Sequence, residues 1–319
     1  MRATRYLRVL LLVGLLLPFA GQADTRLHLV ATTGMIGDVV AIIGGDRVDV
    51  ETLMGPGVDP HLYRQTRRDI VALTRADAVF WHGLALELQL EEFLDRLSGH
   101  APVYAVGEAV PMEARLPAGD FAGQFDPHVW MDPGRWRHVV EAIRDALSEL
   151  HPAGRDAFAA RTDAYLAELA ALDAYALEVL GSLPERRRLL VTAHDAFGYL
   201  GEAYDLEVVG IQGISTESEA GLARIESLVR LLVERRVPAI FVESSVAERN
   251  VRALVEGAEA RGRTVVIGGT LFSDAMGAPG SYEGTYLGML DHNLTTIARA
   301  LGGQAPPRGR LGRLAEAHP

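Results

Sequence analysis

No cysteine occurs among the 319 residues, and no lysine either; every basic side chain other than histidine is an arginine. The first absence excludes a disulfide framework and a thiolate metal site. The second excludes a Walker A phosphate loop and Schiff-base catalysis, which both need a lysine amine. The chain also lacks a GxSxG elbow, an HExxH helix and a GxGxxG turn, so several common enzyme and dinucleotide-binding signatures are missing. Basic charge is in deficit: 31 Lys+Arg face 42 Asp+Glu, a formal net charge of −11. Nucleic-acid binding calls for a basic footprint and is disfavoured. Cations are modestly favoured, although acidic charge also simply keeps a soluble protein dispersed.

Hydrophobic residues make up 49% of the chain, enough at this length for two globular domains with large cores. The N-terminus has a different character. Arg2, Arg5 and Arg8 precede an apolar run over 9–20, and Gly21-Gln22-Ala23 supplies small residues. This pattern is expected to be a signal peptide over 1–23, cut near Ala23, rather than a membrane span. Its removal takes three arginines and no acids, moving the net charge from −11 to −14. A lipid anchor at a mature N-terminus needs a cysteine, so the expectation is a periplasmic protein that is not lipid-anchored.

Strand and helix patterns alternate along both halves. Strands are expected over 26–31, 48–53, 78–81 and 103–106, with a turn-rich loop over 32–37. Helical spacing marks 39–43, 66–74, 86–97 and 133–150, the last with Asp132 as cap and Pro133 in its first turn. The alternation restarts with strands at 188–192, 206–211, 239–242 and 264–267. The corresponding helices fall at 196–204, 220–235, 247–261 and 286–301. Such alternation predicts an α/β fold: two lobes, each a parallel sheet flanked by helices. Between them, 152–182 is rich in Ala, Leu, Glu and Asp, with apolar residues at helical spacing. It reads as one long connecting helix of roughly 40 Å at ~1.5 Å per residue. The expected boundaries are an N-terminal lobe over 24–151, the helix over 152–182, a C-terminal lobe over 183–303 and a flexible tail over 304–319.

Four segments carry residue types that bind metals. Gly57-Val58-Asp59-Pro60-His61 and Phe125-Asp126-Pro127-His128 repeat one Asp-Pro-His tripeptide in the first half. Thr192-Ala193-His194-Asp195 follows an apolar strand, and Leu271-Phe272-Ser273-Asp274 follows a strand and a Gly268-Gly269 turn. Ligands gather at the carboxyl ends of strands in open α/β sheets. Proline fixes its own φ and biases the residue before it away from helix, so each tripeptide delivers its histidine at a defined angle. Three imidazoles and one carboxylate, His61, His128, His194 and Asp274, make a four-coordinate set suited to a borderline divalent metal. Each alone also fits an ordinary loop residue. His82 is a lesser candidate for the cleft, His292 reads as packing, and His28, His138, His151 and His318 read as strand or solvated positions. Glu243, ending a strand, is expected to line the cleft.

These segments resemble the zinc- and manganese-binding solute receptors of ABC importers, the cluster A-I family, and within it the TroA-like type. The likeness rests on residues 53–61, 125–130, 191–199 and 271–277 and extends over nearly all of the mature chain. It implies two lobes joined by a rigid helix, with Zn2+ or Mn2+ held between them by the positions of His61, His128, His194 and Asp274. It further implies an ABC permease and its ATPase as partners, and a monomer that carries its ion rather than an enzyme. Manganese receptors of the family often place Glu where this chain has His194, whereas zinc-dedicated relatives often carry a His-rich loop, which 113–124 is not. A zinc hydrolase, with Asp195 or Glu243 as base and an open coordination position, is the alternative from another class. A third reading is an interaction module whose metal is structural.

Overall fold

The computed structural model describes residues 26–119 and 123–315. The expected signal peptide and its cleavage near Ala23 lie outside the described residues.

The first lobe is a four-stranded parallel sheet in the order β2-β1-β3-β4, formed by β1 (Leu27–Ala31), β2 (Val48–Thr52), β3 (Ala78–Trp81) and β4 (Val103–Ala105). Both faces are covered, so β3 reads Ala-Val-Phe-Trp and is buried throughout, the mark of a central parallel strand. Helix α1 (Gly34–Gly44) starts inside the stretch expected to be a loop. The turn signal of Thr-Thr-Gly was overridden by a buried stripe of Met35, Ile36, Val39, Val40 and Ile43. Its glycine is there for packing: a Cβ at Gly37 would meet Thr52 Oγ1 of β2 at 2.3 Å. Helix α2 (Arg67–Arg75) opens with a full capping box between Thr66 and Asp69. After α3 (Leu88–Ser98) and β4, three short 3-10 turns and a loop lead to α4 (Pro133–Leu150), which Asp132 caps by accepting from Gly134 N–H.

Pro152 begins a 3-10 turn that runs into α5 (Arg155–Gly181), a helix of 27 residues, about 40 Å long at ~1.5 Å per residue. The long connecting helix is therefore present, starting three residues later than the composition placed it. Beyond it the α/β alternation resumes with β5 (Leu189–Thr192), α6 (Gly198–Tyr204), β6 (Glu207–Gly210) and α7 (Leu222–Glu234). Then come β7 (Ala239–Glu243), α8 (Arg249–Glu259), β8 (Val266–Leu271) and α9 (Tyr286–Ala300). β5 pairs with β6 and β7 with β8, all parallel, and β5 lies beside β7. These are two two-stranded sheets, and with β5 beside β7 their spatial order β6-β5-β7-β8 follows that of the first lobe.

One expectation about the second lobe is corrected. Gly268-Gly269 does not end a strand; β8 runs through both, with an irregular register against β7 between Ile240 and Val242. The pair permits close approach instead. A Cβ at Gly268 would sit 2.8 Å from Ala300 Cβ and 2.9 Å from Phe241 Cε1, so α9 packs almost on the strand backbone. The tail also differs from expectation over its described part. Arg310 N–H donates to Asp291 Oδ1 at 2.9 Å, Ala315 N–H donates to Glu283 Oε1 at 2.8 Å, and Leu314 is buried.

The lobes do not meet across a wet hinge. One contiguous core takes in Leu29, Ile36 and Val140 of the first lobe, Phe158 to Leu180 of α5, and Tyr199, Leu290 and Ile297 of the second. Trp136 of α4 stacks on Tyr286 of α9 with centroids 5.1 Å apart and planes 14° from parallel. Asp38 of α1 accepts from Tyr286 N–H at 2.9 Å, and burial pushes its carboxyl up to about 6. No helix among the described residues is long and apolar enough to cross a membrane.

Gly268→Ala should lower folding stability by about 1–3 kcal/mol, the usual cost of overpacking. Equilibrium chemical denaturation of the metal-free protein measures it; an unchanged midpoint would mean that α9 yields without cost.

Candidate metal centre

Every candidate ligand leaves the C-terminal end of a strand or the loop beyond it. His61 lies in the loop after β2, where Asp59 Oδ1 accepts its backbone N–H at 2.9 Å. His128 occupies the second Asp-Pro-His turn. There Asp126 Oδ1 accepts both the backbone N–H of His128, at 2.9 Å, and its Nδ1–H, at 2.6 Å. His194 follows β5. Glu243, the last residue of β7, holds it twice, accepting its backbone N–H at 2.9 Å and its Nδ1–H at 2.5 Å. Asp274 lies three residues past β8, with Ser245 Oγ 3.4 Å from its Oδ2.

The structure brings all four together. His61, His128, His194 and Asp274 are 4%, 0%, 0% and 3% exposed, and one ligand atom of each lies within 4.8 Å of all the others. His128 Nε2 is 3.4 Å from His61 Nε2 and 3.3 Å from His194 Nε2. Asp274 Oδ1 is 3.5 Å from His128 Nε2, and its Oδ2 is 3.3 Å from His194 Nε2. Four ligands held ~2.0–2.1 Å from a tetrahedral divalent ion are separated by about 3.3–3.4 Å, and these approaches lie close to that spacing.

Tautomers sharpen this fit. A carboxylate only accepts, so the partners of Nδ1 on His128 and His194 assign the ring proton to Nδ1. In the neutral rings the Nε2 lone pairs then face each other at 3.3 Å. That contact is repulsive unless positive charge lies between them. The titration behaviour carries the same message. Burial by itself would lower His128, but Asp126 and Asp274 push it up to about 9. Burial likewise opposes the charge on His194, yet Asp274 and Glu243 raise it well above its ordinary value. Asp274, which burial would raise, is held well below the carboxylate range by His194 and His128. His61 is pushed down to about 3 by burial, with His128 and His194 adding to the shift against Asp274. The centre demands a cation, and a divalent metal meets that demand by displacing protons from the rings.

Further residues brace the cage. His82, a lesser candidate from sequence, is buried and donates through Nε2–H to Pro127 O at 2.7 Å, with its ring edge-on to Trp130. It props the His128 turn instead of joining the four. Glu87 accepts from His82 N–H at 2.9 Å, Gly83 N–H at 3.2 Å and Thr32 O–H at 2.6 Å, while burial pushes it up to about 7. His292 packs as expected, donating to Thr270 O at 2.8 Å. His28, His138 and His151 are half-buried away from the centre, and His318 lies outside the described residues. Sequence reasoning placed Glu243 at the cleft but missed its grip on His194, and it read Asp126 only as part of a turn. The signal for Glu243 was an acid directly ending an apolar strand.

Glu243→Gln should weaken metal binding by roughly 10–100-fold, because a ligand ring then loses the carboxylate that orients it. Chelator competition checks this; an unchanged affinity would remove Glu243 from any orienting role. Glu87 predicts a pH effect. Its raised pKa means that the folded state keeps a proton the unfolded chain loses between about 4.5 and about 7. Wild-type stability should therefore fall across that window relative to Glu87→Gln, by up to about 3 kcal/mol. Denaturation midpoints at pH 4.5 and pH 7.5 give the difference, and a gap that does not change with pH would show that Glu87 ionises normally.

The sequence and the fold have counterparts among known proteins. The family model described as zinc-uptake complex component A, periplasmic, matches residues 29–300. The chain is 46% identical over 280 residues to the manganese-binding lipoprotein MntA of Bacillus subtilis (strain 168), covering 88% of this chain and 91% of that protein. It is 47% identical over 279 residues to the zinc-binding protein TroA of Treponema pallidum (strain Nichols), covering 88% and 90%. The solved structure of the periplasmic zinc-binding protein TroA from Treponema pallidum superimposes with a TM-score of 0.84 at 46% identity, covering 86% of this chain and 99% of that one. With the family model spanning both lobes, and relatives matched over nearly their whole length, the chain belongs to the periplasmic zinc-uptake component A family, the cluster A-I metal receptors that its own motifs resemble.

Proposed function

We propose that this protein is an exported, periplasmic receptor that captures one zinc or manganese ion and delivers it to an ABC permease powered by its ATPase. In this reading His61, His128, His194 and Asp274 are the ligands of the cargo. The observation that carries it is the approach of three buried Nε2 atoms and one carboxylate to 3.3–3.5 Å. The names of the relatives, a zinc-binding TroA and a manganese-binding MntA, support the cargo class.

Ligand chemistry favours zinc. Three imidazoles and one carboxylate are softer than the oxygen-rich set that suits manganese, and zinc stands well above manganese in intrinsic affinity. Manganese then binds where supply gives it the advantage. Capture rather than catalysis follows from closure: four protein ligands leave no coordination position for a reactive water. Glu243, the base a hydrolase would need, is already engaged by two N–H groups of His194. The fold does not depend on the ion, because both lobes have cores of their own chain.

Competitive zinc and manganese titration of metal-stripped protein should give one tight site that prefers zinc, and His194→Glu should shift preference toward manganese. The stripped protein should keep its circular dichroism spectrum. Absence of a tight stoichiometric site for either ion, or unfolding on metal removal, would overturn the receptor reading.

A further inference from the structure

The two sides of the cleft are tied together in different ways. On the His128 side, buried aromatic donors cross between the lobes. Tyr199 O–H donates to Asp126 O, Trp130 Nε1–H to Ser273 O and Tyr286 O–H to Trp130 O, each at 2.8 Å. These bonds sit in the shared core, where Trp130, Tyr199 and Tyr286 are fully buried. On the His61 side, a long bond from Gln89 Nε2–H of α3 to Glu217 Oε1 at 3.5 Å reaches the second lobe, and the bond from the loop that carries His61 runs between two loops. Thr216 O–H, in the loop after β6, donates to Asp59 Oδ2 at 2.6 Å.

That acceptor is the other oxygen of the carboxylate that holds the backbone of His61. The two Asp-Pro-His turns thus use the same residue differently. Asp126 spends one oxygen on both the backbone and the ring of its histidine. Asp59 divides its oxygens, one on the backbone of His61 and one across the cleft. Thr216 is 7% exposed, and its loop is closed by Gln212, whose Nε2–H donates to Ser218 O at 3.1 Å. The second-lobe end of the bond is therefore held in place, and the carboxylate makes it charge-assisted.

We propose that Asp59 and Thr216 form an interlobe latch that positions His61 and sets how long a captured ion stays. The inference rests on the receptor reading and adds a kinetic role to it. His194 and Asp274 are fixed to strand ends of the second lobe, and His128 is clamped by the shared core. Among the four ligands, His61 rides on the loop whose tie to the opposite lobe is a hydrogen bond at the cleft rim. Opening that bond frees one ligand and lets water or an acceptor reach the ion without breaking either core. Asp59 and Thr216 are positioning residues; neither is among the four that converge on the ion.

The test is zinc release from the full chain into excess chelator, followed by stopped flow, for wild type, Thr216→Val and Thr216→Ser. Valine keeps the shape of the side chain and removes its hydroxyl; serine restores the hydroxyl. Thr216→Val should release zinc roughly tenfold faster, the scale of one hydrogen bond to a charged group. Thr216→Ser should release it at nearly the wild-type rate, and association rates and the melting temperature of the metal-free protein should not move. Wild-type release rates in Thr216→Val, with a tight site present, would overturn the latch alone. So would faster release matched by an equal loss of metal-free stability, or a serine variant as fast as valine. A wild-type chain with no stoichiometric zinc site would overturn the receptor reading itself, and the latch with it.

Discussion

Two imidazole Nε2 atoms facing each other at 3.3 Å, inside a fully buried pocket, are the constraint on which the rest of this structure turns. Nothing in ordinary packing favours that arrangement. It persists because Asp126 and Glu243 grip the far side of each ring and because both backbones are anchored by the same carboxylates. These grips fix the orientation of both rings, and a fixed orientation reduces the ordering that binding must supply. The carboxylates also raise the basicity of the rings, which strengthens them as ligands and makes protons their chief competitor.

Such preorganisation is only as good as the frame behind it, and here the frame is a core shared by both lobes. Stacking of Trp136 on Tyr286 and the apolar side of α5 join the lobes along their backs. Swinging them apart as rigid bodies would expose buried aromatic surface at about 25 cal/mol per Å². A cleft closed by such a core does not open like a hinged jaw. Change at the metal is left to the loops, and the loops differ: one is pinned by buried tyrosine and tryptophan donors, the other by a threonine at the rim. Rigidity for selectivity and looseness for release are thus assigned to opposite sides of one small site.

Metal choice is set less sharply than metal capture. Relatives of nearly equal identity carry names for zinc and for manganese, so overall similarity does not separate the two ions. What separates the two ions physically is chiefly ligand softness, which nitrogen ligands shift toward zinc and oxygen ligands toward manganese. Softness depends on one residue in particular, His194, where an oxygen ligand would make the set harder. The same ring is engaged on both sides, by Glu243 and by Asp274, as His128 is by Asp126 and Asp274.

Much of this was legible in the chain itself. The alternation of apolar strands with helical spacing determined the α/β class, because burial on both faces forces near-continuous apolar strands such as Ala78–Trp81. Composition determined the long connecting helix, and the repeated Asp-Pro-His tripeptide singled out two candidate ligands whose turn geometry is local. Where local signals failed, tertiary contacts had overruled them. Gly268-Gly269 reads as a turn but serves the approach of α9, and the glycines near residue 34 read as a loop but belong to α1. Only the folded structure decided that His61 and Asp274, 213 positions apart in the chain, share one cage, that Glu243 orients His194, and that Asp59 reaches Thr216. Those are long-range contacts, two of them between loops of different lobes and one, Glu243 to His194, between strand ends of the second lobe. Chain periodicity determines which elements form, but the distances between their ends are set by packing against a common core.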